Sequence, residues 1–408
     1  MGNTLCNFFS GMDDIRIANV YCHTDKPTTD MNGSVRFFRI TDKELVKSIV
    51  KKDYSAGDEI CVTEKKDVYT GSIPGYDVFR SMRLQIFFEI REWIWKLGKW
   101  KTEGLRVFLN ENNPDIIFQP IYNSRYIYDV VDFCEDYLKI PIVSYAVDDY
   151  YSLRQFSLSP FFWTDRMVKR KRIRHLIEKS SILYVISDTQ KEEYAPLFST
   201  PCKVLTKGYE FGALPAYDNP EKCIRMVYGG MINRGRYKSL KAISKSVEHL
   251  RERGYGISLE IYSKDIKNRR MRNGLSNKGT KLHEGIPYSD LYEIEKTASV
   301  LVHVEGLGIK DRFTVHQSFS TKLVDYFYLG KCIFAIGKKD MASIKHLAEN
   351  DAAIIATSNK EIYNKIYGIV ENPGCIKEYG EAAYECGKKW HDKAQMQDML
   401  YKDLLSVV

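Results

Sequence analysis

VHVEGLGIKDRFTVHQSFSTKLVDYFYLGKCIFAIG, residues 302–337, decides how the rest of the chain is read. Residues 301–304 (LVHV) and 332–336 (CIFAI) are short apolar runs, the pattern of parallel strands covered on both faces. The first run ends at Glu305; a glycine-punctuated polar loop follows, and then a helix. Ser320 stands where an N-cap belongs, and Thr321, Lys322 and Asp325 fall in the first turns. Gly330 stops the helix where a left-handed residue is wanted. Polar groups at a helix N-terminus, beyond the carboxyl end of a strand, make the usual anion site of an open α/β sheet.

Outward from this stretch the alternation continues. Strands are expected at 224–228, 257–262, 281–283 and 352–356, and helices at 237–253, 289–297 and 360–370, with a terminal helical region at 379–405. Upstream, strands are expected at 17–21, 35–40, 59–62, 115–119, 141–147, 182–187 and 202–205. Helices are expected there at 5–12, 126–138, 166–179 and 189–197. Residues 208–219, with Pro215 and then Pro220, carry no periodicity and form a linker. Repeated β-α-β units on both sides predict an α/β protein of two Rossmann-like, doubly wound parallel-sheet domains, at 1–213 and 214–385. Helix 5–12 precedes any strand, so either a first strand is expected upstream of Met1 or the fold is irregular at this edge.

A chain of 408 residues, 44% hydrophobic and 28% charged, has room for two such cores. Its net charge of +8 allows an anionic partner without naming one. A nucleic-acid partner is not expected, because the basic residues are spread and no base-stacking motif accompanies them. Nine cysteines without a CxxC pair read as reduced thiols of a cytosolic protein. With no run of eighteen apolar residues no membrane span is expected, and the opening residues do not read as a signal peptide. Residues 78–101 read as one long helix with Trp93, Trp95 and Trp100 among basic side chains. Such a helix either packs on the sheet or lies in a membrane interface.

Three groups of residues suggest chemistry. Gly229 and Gly230 directly after a strand, then Asn233, Arg234, Arg236 and Lys238 before a helix, suit a phosphate, although glycine turns are also common at such junctions. Lys322 and Asp325 share a helical face: the lysine suits a phosphate and the carboxylate suits ribose hydroxyls, or the two are an ordinary surface pair. Glu305 is a strand-end carboxylate in an α/β crevice, with a loop-capping role as its alternative.

On these residues the second half resembles the nucleotide-binding domain of GT-B glycosyltransferases, especially the retaining enzymes of family 4. YGGMINRGRYKSL resembles that family's glycine-basic turn, HEGIPYSDLYEIEKTASVLVHVEG its base-binding segment and glutamate-ending strand, and STKLVDYFYLGKCIFAIG its ribose and diphosphate helix. In the first half, SSILYVISDTQKEEYAPLF and VLTKGYEF resemble its last strand, helix and hinge entry.

The resemblance implies a GT-B architecture, with residues 386–408 crossing back to the first domain. It implies that Gly230, Arg234 or Arg236, Thr321 and Lys322 hold the donor diphosphate, that Asp325 binds ribose, and that Ile286 and Pro287 flank the base. Glu305 would contact the donor sugar, and Asp148 or Asp149 stands where the family often has a histidine. Two features depart from the common pattern: Glu305 and Asp325 are more than eight positions apart, and the second acid is Asp.

The implied activity is sugar transfer from a nucleoside diphosphate sugar to a saccharide or lipid-linked acceptor, with retention, in cell-surface polysaccharide or glycan biosynthesis. Neither a metal nor a resident cofactor is expected, since no DxD-type pair stands in the second domain. The basic stretch 166–174 suggests a cytoplasmic protein in peripheral contact with an acidic membrane at its inner face. A sugar-nucleotide epimerase and a non-catalytic interaction subunit are the alternatives.

Overall fold

A computed structural model describes residues 3–23, 35–51, 53–60, 85–216, 223–233 and 235–408. Arg234, residues 78–84 of the expected long helix, residues 61–62 of an expected strand and residues 217–219 of the linker lie outside the described residues.

The second lobe is built on six parallel strands: β8 (Ile224–Gly229), β9 (Ile257–Tyr262), β10 (Thr280–His283), β11 (Val300–Val304), β12 (Cys332–Ile336) and β13 (Ile354–Ala356). Their spatial order is β10-β9-β8-β11-β12-β13, which is 3-2-1-4-5-6 counted from β8. The chain therefore winds outward from β8 in both directions and leaves a crevice between the carboxyl ends of β8 and β11. Alternate strand residues enter two cores. Met226, Val302 and Phe334 pack with Leu240, Ile243 and Val247 on one face; Val227, Leu301 and Ile333 pack with Leu323, Phe327 and Leu347 on the other. Burial on both faces is why β11 and β12 read as nearly unbroken apolar runs.

The first lobe carries a four-stranded parallel sheet in the order β4 (Ile117–Pro120), β5 (Ile142–Ala146), β6 (Ser180–Val185), β7 (Cys202–Val204). A three-stranded sheet accompanies it. There β1 (Ile17–Tyr21) runs parallel to β2 (Val35–Arg39), and β3 (Asp58–Ile60) runs antiparallel to β2. Ile17 and Val35 pack against the core of Phe8, Val143, Tyr145 and Tyr184, which ties the two sheets together. The terminal helix Lys393–Val407 docks on this lobe: Leu400 enters the same core, and Asp403 accepts from the Tyr184 hydroxyl at 2.7 Å and from Lys203 Nζ at 2.5 Å.

Several helices differ from expectation. The long tryptophan-rich helix is Gln85–Leu97 and does not continue to residue 101. At Gly98 a Cβ would come within 2.6 Å of Leu45, and beyond it the Trp100 indole turns back to donate to Trp95 O at 3.0 Å. Trp95 and Trp100 are core residues, whereas Trp93 is exposed. The loop after Glu305 contains a short helix, Ile309–Val315. The basic helix is Pro160–Lys179 and begins six residues before 166, because Ser159 caps it by accepting the Phe162 N–H and Pro160 suits the first turn.

That basic helix is a framework element. Arg166 pairs with Asp149, Lys169 with Asp165, Arg172 with Asp129, Arg174 with Glu178 and Lys179 with Glu135. Arg170 donates to Tyr151 O at 2.7 Å and lies 3.9 Å from the Tyr151 ring centroid. Among the described residues no helix is long and apolar enough to cross a membrane.

Candidate functional site at the strand crossover

Gly229 ends β8 at the crevice and Gly230 begins the turn, with φ of +153°. Gly229 lets Lys322 and Leu291 approach closely: a Cβ would lie 2.9 Å from Lys322 Nζ and 2.5 Å from Leu291, so both side chains would have to shift. The turn is held from outside by Asp265, whose Oδ2 accepts the N–H groups of Ile232 at 2.7 Å and Asn233 at 3.1 Å. It delivers Arg236 to the start of helix Tyr237–Glu252, where Nη2 donates to Glu305 Oε2 at 3.2 Å. Arg236 Nε is buried without a hydrogen-bond partner among the described residues.

Glu305 follows β11 and is 4% exposed; its N–H donates to Ile336 O at 2.8 Å, which fixes the backbone. His303 Nε2 lies 3.2 Å from Oε1. Burial alone would raise the carboxyl; His303 and Arg236 outweigh it and hold Glu305 below the ordinary carboxylate range. A depressed folded-state pKa stabilises above the unfolded carboxyl's range, and that stabilisation is lost as the pH falls through the folded value. Glu305→Gln is therefore expected to lose about 1–3 kcal/mol at neutral pH. Its urea-unfolding midpoint should also vary less with pH in the acid range than that of wild type; parallel profiles would show that Glu305 carries no linked charge.

Helix Thr321–Tyr328 opens toward the same crevice. Ser320 takes the N-cap position without a side-chain cap bond, and its N–H donates to Ser343 Oγ at 3.1 Å. Thr321 is half-buried in the first turn. Lys322 Nζ donates to Gly229 O at 2.6 Å and to Glu295 Oε1 at 3.2 Å, which joins this helix to the glycine turn. Asp325, 3% exposed, accepts from Lys207 Nζ and, at 2.8 Å, from the Tyr209 hydroxyl. Both donors come from the segment between the lobes. Tyr209 stacks on Tyr328 at 4.4 Å, and its hydroxyl lies 3.5 Å from that of Tyr288. Ile286, half-buried, and Pro287, exposed, lead into the helix Tyr288–Lys296.

The first lobe's two acids part company. Asp149 is 7% exposed, and its oxygens are committed to Arg166 at 3.2 Å, to the N–H groups of Tyr151 and Ser152, and to the Ser152 hydroxyl. It shapes its own loop. Asp148 is exposed at the lobe interface, where it accepts from Ser318 Oγ of the second lobe at 3.1 Å. Beside it Glu193 accepts from Arg154, from His316 at 2.9 Å and from Gln317 Nε2 at 2.5 Å, so residues 316–318 are clasped to the first lobe.

The structure thus brings Arg236 onto Glu305 and Lys322 onto Gly229 at neighbouring strand ends, with Asp325 one helical turn beyond Lys322. Sequence reasoning missed Asp265, Lys207, Tyr209, Glu193 and Glu295. Only Glu295 left a local signal: it follows Leu291 by four, so a carboxylate occupies the buried face of its helix.

No protein-family model matches the chain, and no curated protein sequence does. Solved structures do. HepE of Anabaena, crystallised with UDP-glucose, superposes at a TM-score of 0.56 with 13% identity, over 76% of this chain and 83% of its own. Sucrose-phosphate synthase from Thermosynechococcus elongatus gives 0.61 with 11% identity, over 96% of this chain and 89% of its own. The pneumococcal O-GlcNAc transferase GtfA, with UDP and GlcNAc, gives 0.52 with 12% identity, over 76% and 60%. At such identities the likeness is one of fold. The chain has the GT-B architecture, two Rossmann-like doubly wound lobes facing a cleft.

Proposed function

We propose that the protein is a glycosyltransferase that moves a sugar from a nucleoside diphosphate sugar to a saccharide or lipid-linked acceptor. The observation that carries this is the convergence of the Arg236–Glu305 pair and the Lys322–Gly229 contact on the crossover between β8 and β11. Two cations beside a glycine turn and a helix N-terminus suit a diphosphate leaving group, whose negative charge grows as the sugar–oxygen bond breaks. Arg236, Lys322, Gly230 and Thr321 hold it, and Asp325 reaches the ribose. Ile286 and Pro287 flank the base. Glu305 contacts the donor sugar, Asp148 faces the acceptor, and Asp149 keeps the loop that presents Asp148 in shape.

Transfer proceeds with retention and needs neither metal nor resident cofactor, in the cytoplasm and, for a lipid-linked acceptor, at the inner face of the membrane. HepE with UDP-glucose and GtfA with UDP and GlcNAc favour a UDP-linked donor. The test is a thermal-shift screen of UDP, GDP, dTDP and CMP. A nucleotide at about a hundred times its Kd stabilises the fold by about 2.7 kcal/mol, so one member of the panel is expected to raise Tm by several degrees. A flat panel would remove the nucleotide-sugar reading.

A further inference from the structure

Glu295 is fully buried on the helix Tyr288–Lys296, away from any role assigned above. Its Oε1 receives Lys322 Nζ at 3.2 Å and the Tyr326 hydroxyl at 3.4 Å, and its Oε2 is buried without a hydrogen-bond partner among the described residues. A carboxylate in such a place is costly, and a buried ion pair adds little net stability over well-packed apolar side chains. Burial raises its pKa and the Lys322 charge opposes that rise, with the net shift upward. Stability does not explain its presence.

We propose that Glu295 is a positioning residue and counter-ion for Lys322, and that its charge lowers the affinity of the glycine turn for a diphosphate group. This rests on the diphosphate reading of that turn. Gly229 O and Glu295 Oε1 take two of the three N–H groups of the Lys322 ammonium, which leaves one for a ligand oxygen. The ammonium is thus fixed in place before any anion arrives. Its charge is already half-satisfied, so the anion meets a weaker field than Lys322 and Arg236 alone would make. A transferase must release its nucleoside diphosphate product after every cycle, and a site tuned in this way holds the diphosphate without trapping it.

The decisive comparison is the affinity of the full chain for inorganic pyrophosphate, by titration calorimetry, for wild type and Glu295→Gln. The glutamine keeps the shape and an acceptor oxygen for Lys322 but removes the negative charge. It is expected to bind pyrophosphate about tenfold tighter or more. A damaged site binds more weakly, so a gain in affinity separates this role from a merely structural one. Glu295→Ala, which gives up the acceptor as well, is expected to gain less than the glutamine variant. A folded Glu295→Gln protein with unchanged or weaker affinity overturns the proposal while leaving the site intact. If wild type, Glu295→Gln and Lys322→Ala all fail to bind pyrophosphate, the diphosphate reading of the turn falls, and this proposal with it.

Discussion

Lys322→Ala is expected to lower sugar-transfer turnover by about 10²–10³-fold, measured with the donor that the thermal-shift panel selects. The lost interaction is one that strengthens as the diphosphate departs, so the damage falls on the chemical step more than on ground-state binding. The same change also strands Glu295, a fully buried carboxylate whose only cationic neighbour is Lys322 among the described residues. Removing one member of a buried pair costs about 3–5 kcal/mol, so Lys322→Ala alone would confound catalysis with unfolding. The Glu295→Gln/Lys322→Ala double variant resolves this. It is expected to recover most of the lost stability and none of the lost turnover. Recovery of turnover in the double variant would make Lys322 a structural residue and would move the diphosphate site elsewhere.

What the sequence shows about this fold follows from which forces are local. Strands such as Val300–Val304 and Cys332–Ile336 are legible to the residue, because both of their faces are buried and every position but His303 is apolar. The helix Ile309–Val315 is not legible: it has no buried face, and Arg312 is paired through Asp340, a residue twenty-eight positions away. Charge is the least legible property. Seven Lys and Arg side chains lie between 166 and 179, and their acids are only partly local: Asp165 and Glu178 stand on the same helix, the others on neighbouring helices and on the loop of Asp149. The same holds at the site. The elements that carry Glu305, Lys322 and Asp325 can be read from strand ends and caps, whereas what these side chains touch cannot. Lys207 and Tyr209 are more than a hundred positions from Asp325 and are brought to it only by the path of the chain between the lobes.

Acidification from pH 7.5 to 5 is expected to destabilise the protein through a pair of imidazoles at the lobe contact. His346, on the helix Ala342–Glu349, and His391, between the last two helices, face each other with Nε2 atoms 3.3 Å apart. His391 Nδ1 lies 2.9 Å from the Thr206 hydroxyl of the first lobe, and Cys386 Sγ lies 3.4 Å from His346 Nε2. Phe319 and Phe327 stack on His391, which is 2% exposed. Burial pushes His346 down to about 4 against the opposing charge of Asp188, and it pushes His391 well below the ordinary range, where the neighbouring imidazole adds to the effect.

Both rings are neutral in the folded state at pH 5, while an unfolded histidine takes up a proton below about 6.5. Stability falls wherever the unfolded chain binds more protons, so the loss opens near pH 6.5 and, for His346, is complete by about pH 4. For His346 alone that amounts to about 2 kcal/mol at pH 5, and His391 acts in the same direction. Against a total of about 5–15 kcal/mol this is a large fraction. Protonating both rings in place would set two like charges at the 3.3 Å separation. The contact between the second lobe, the crossover and Thr206 is then the place where acid opens the molecule. Urea unfolding at pH 7.5, 6 and 5 tests this in wild type and in His346→Gln and His391→Asn, each of which keeps one polar atom near its place. The variants are expected to be less stable at pH 7.5 yet to lose less between pH 7.5 and 5. Carboxylates that titrate in the same range cancel in that difference, so identical slopes in all three proteins would place the acid lability elsewhere.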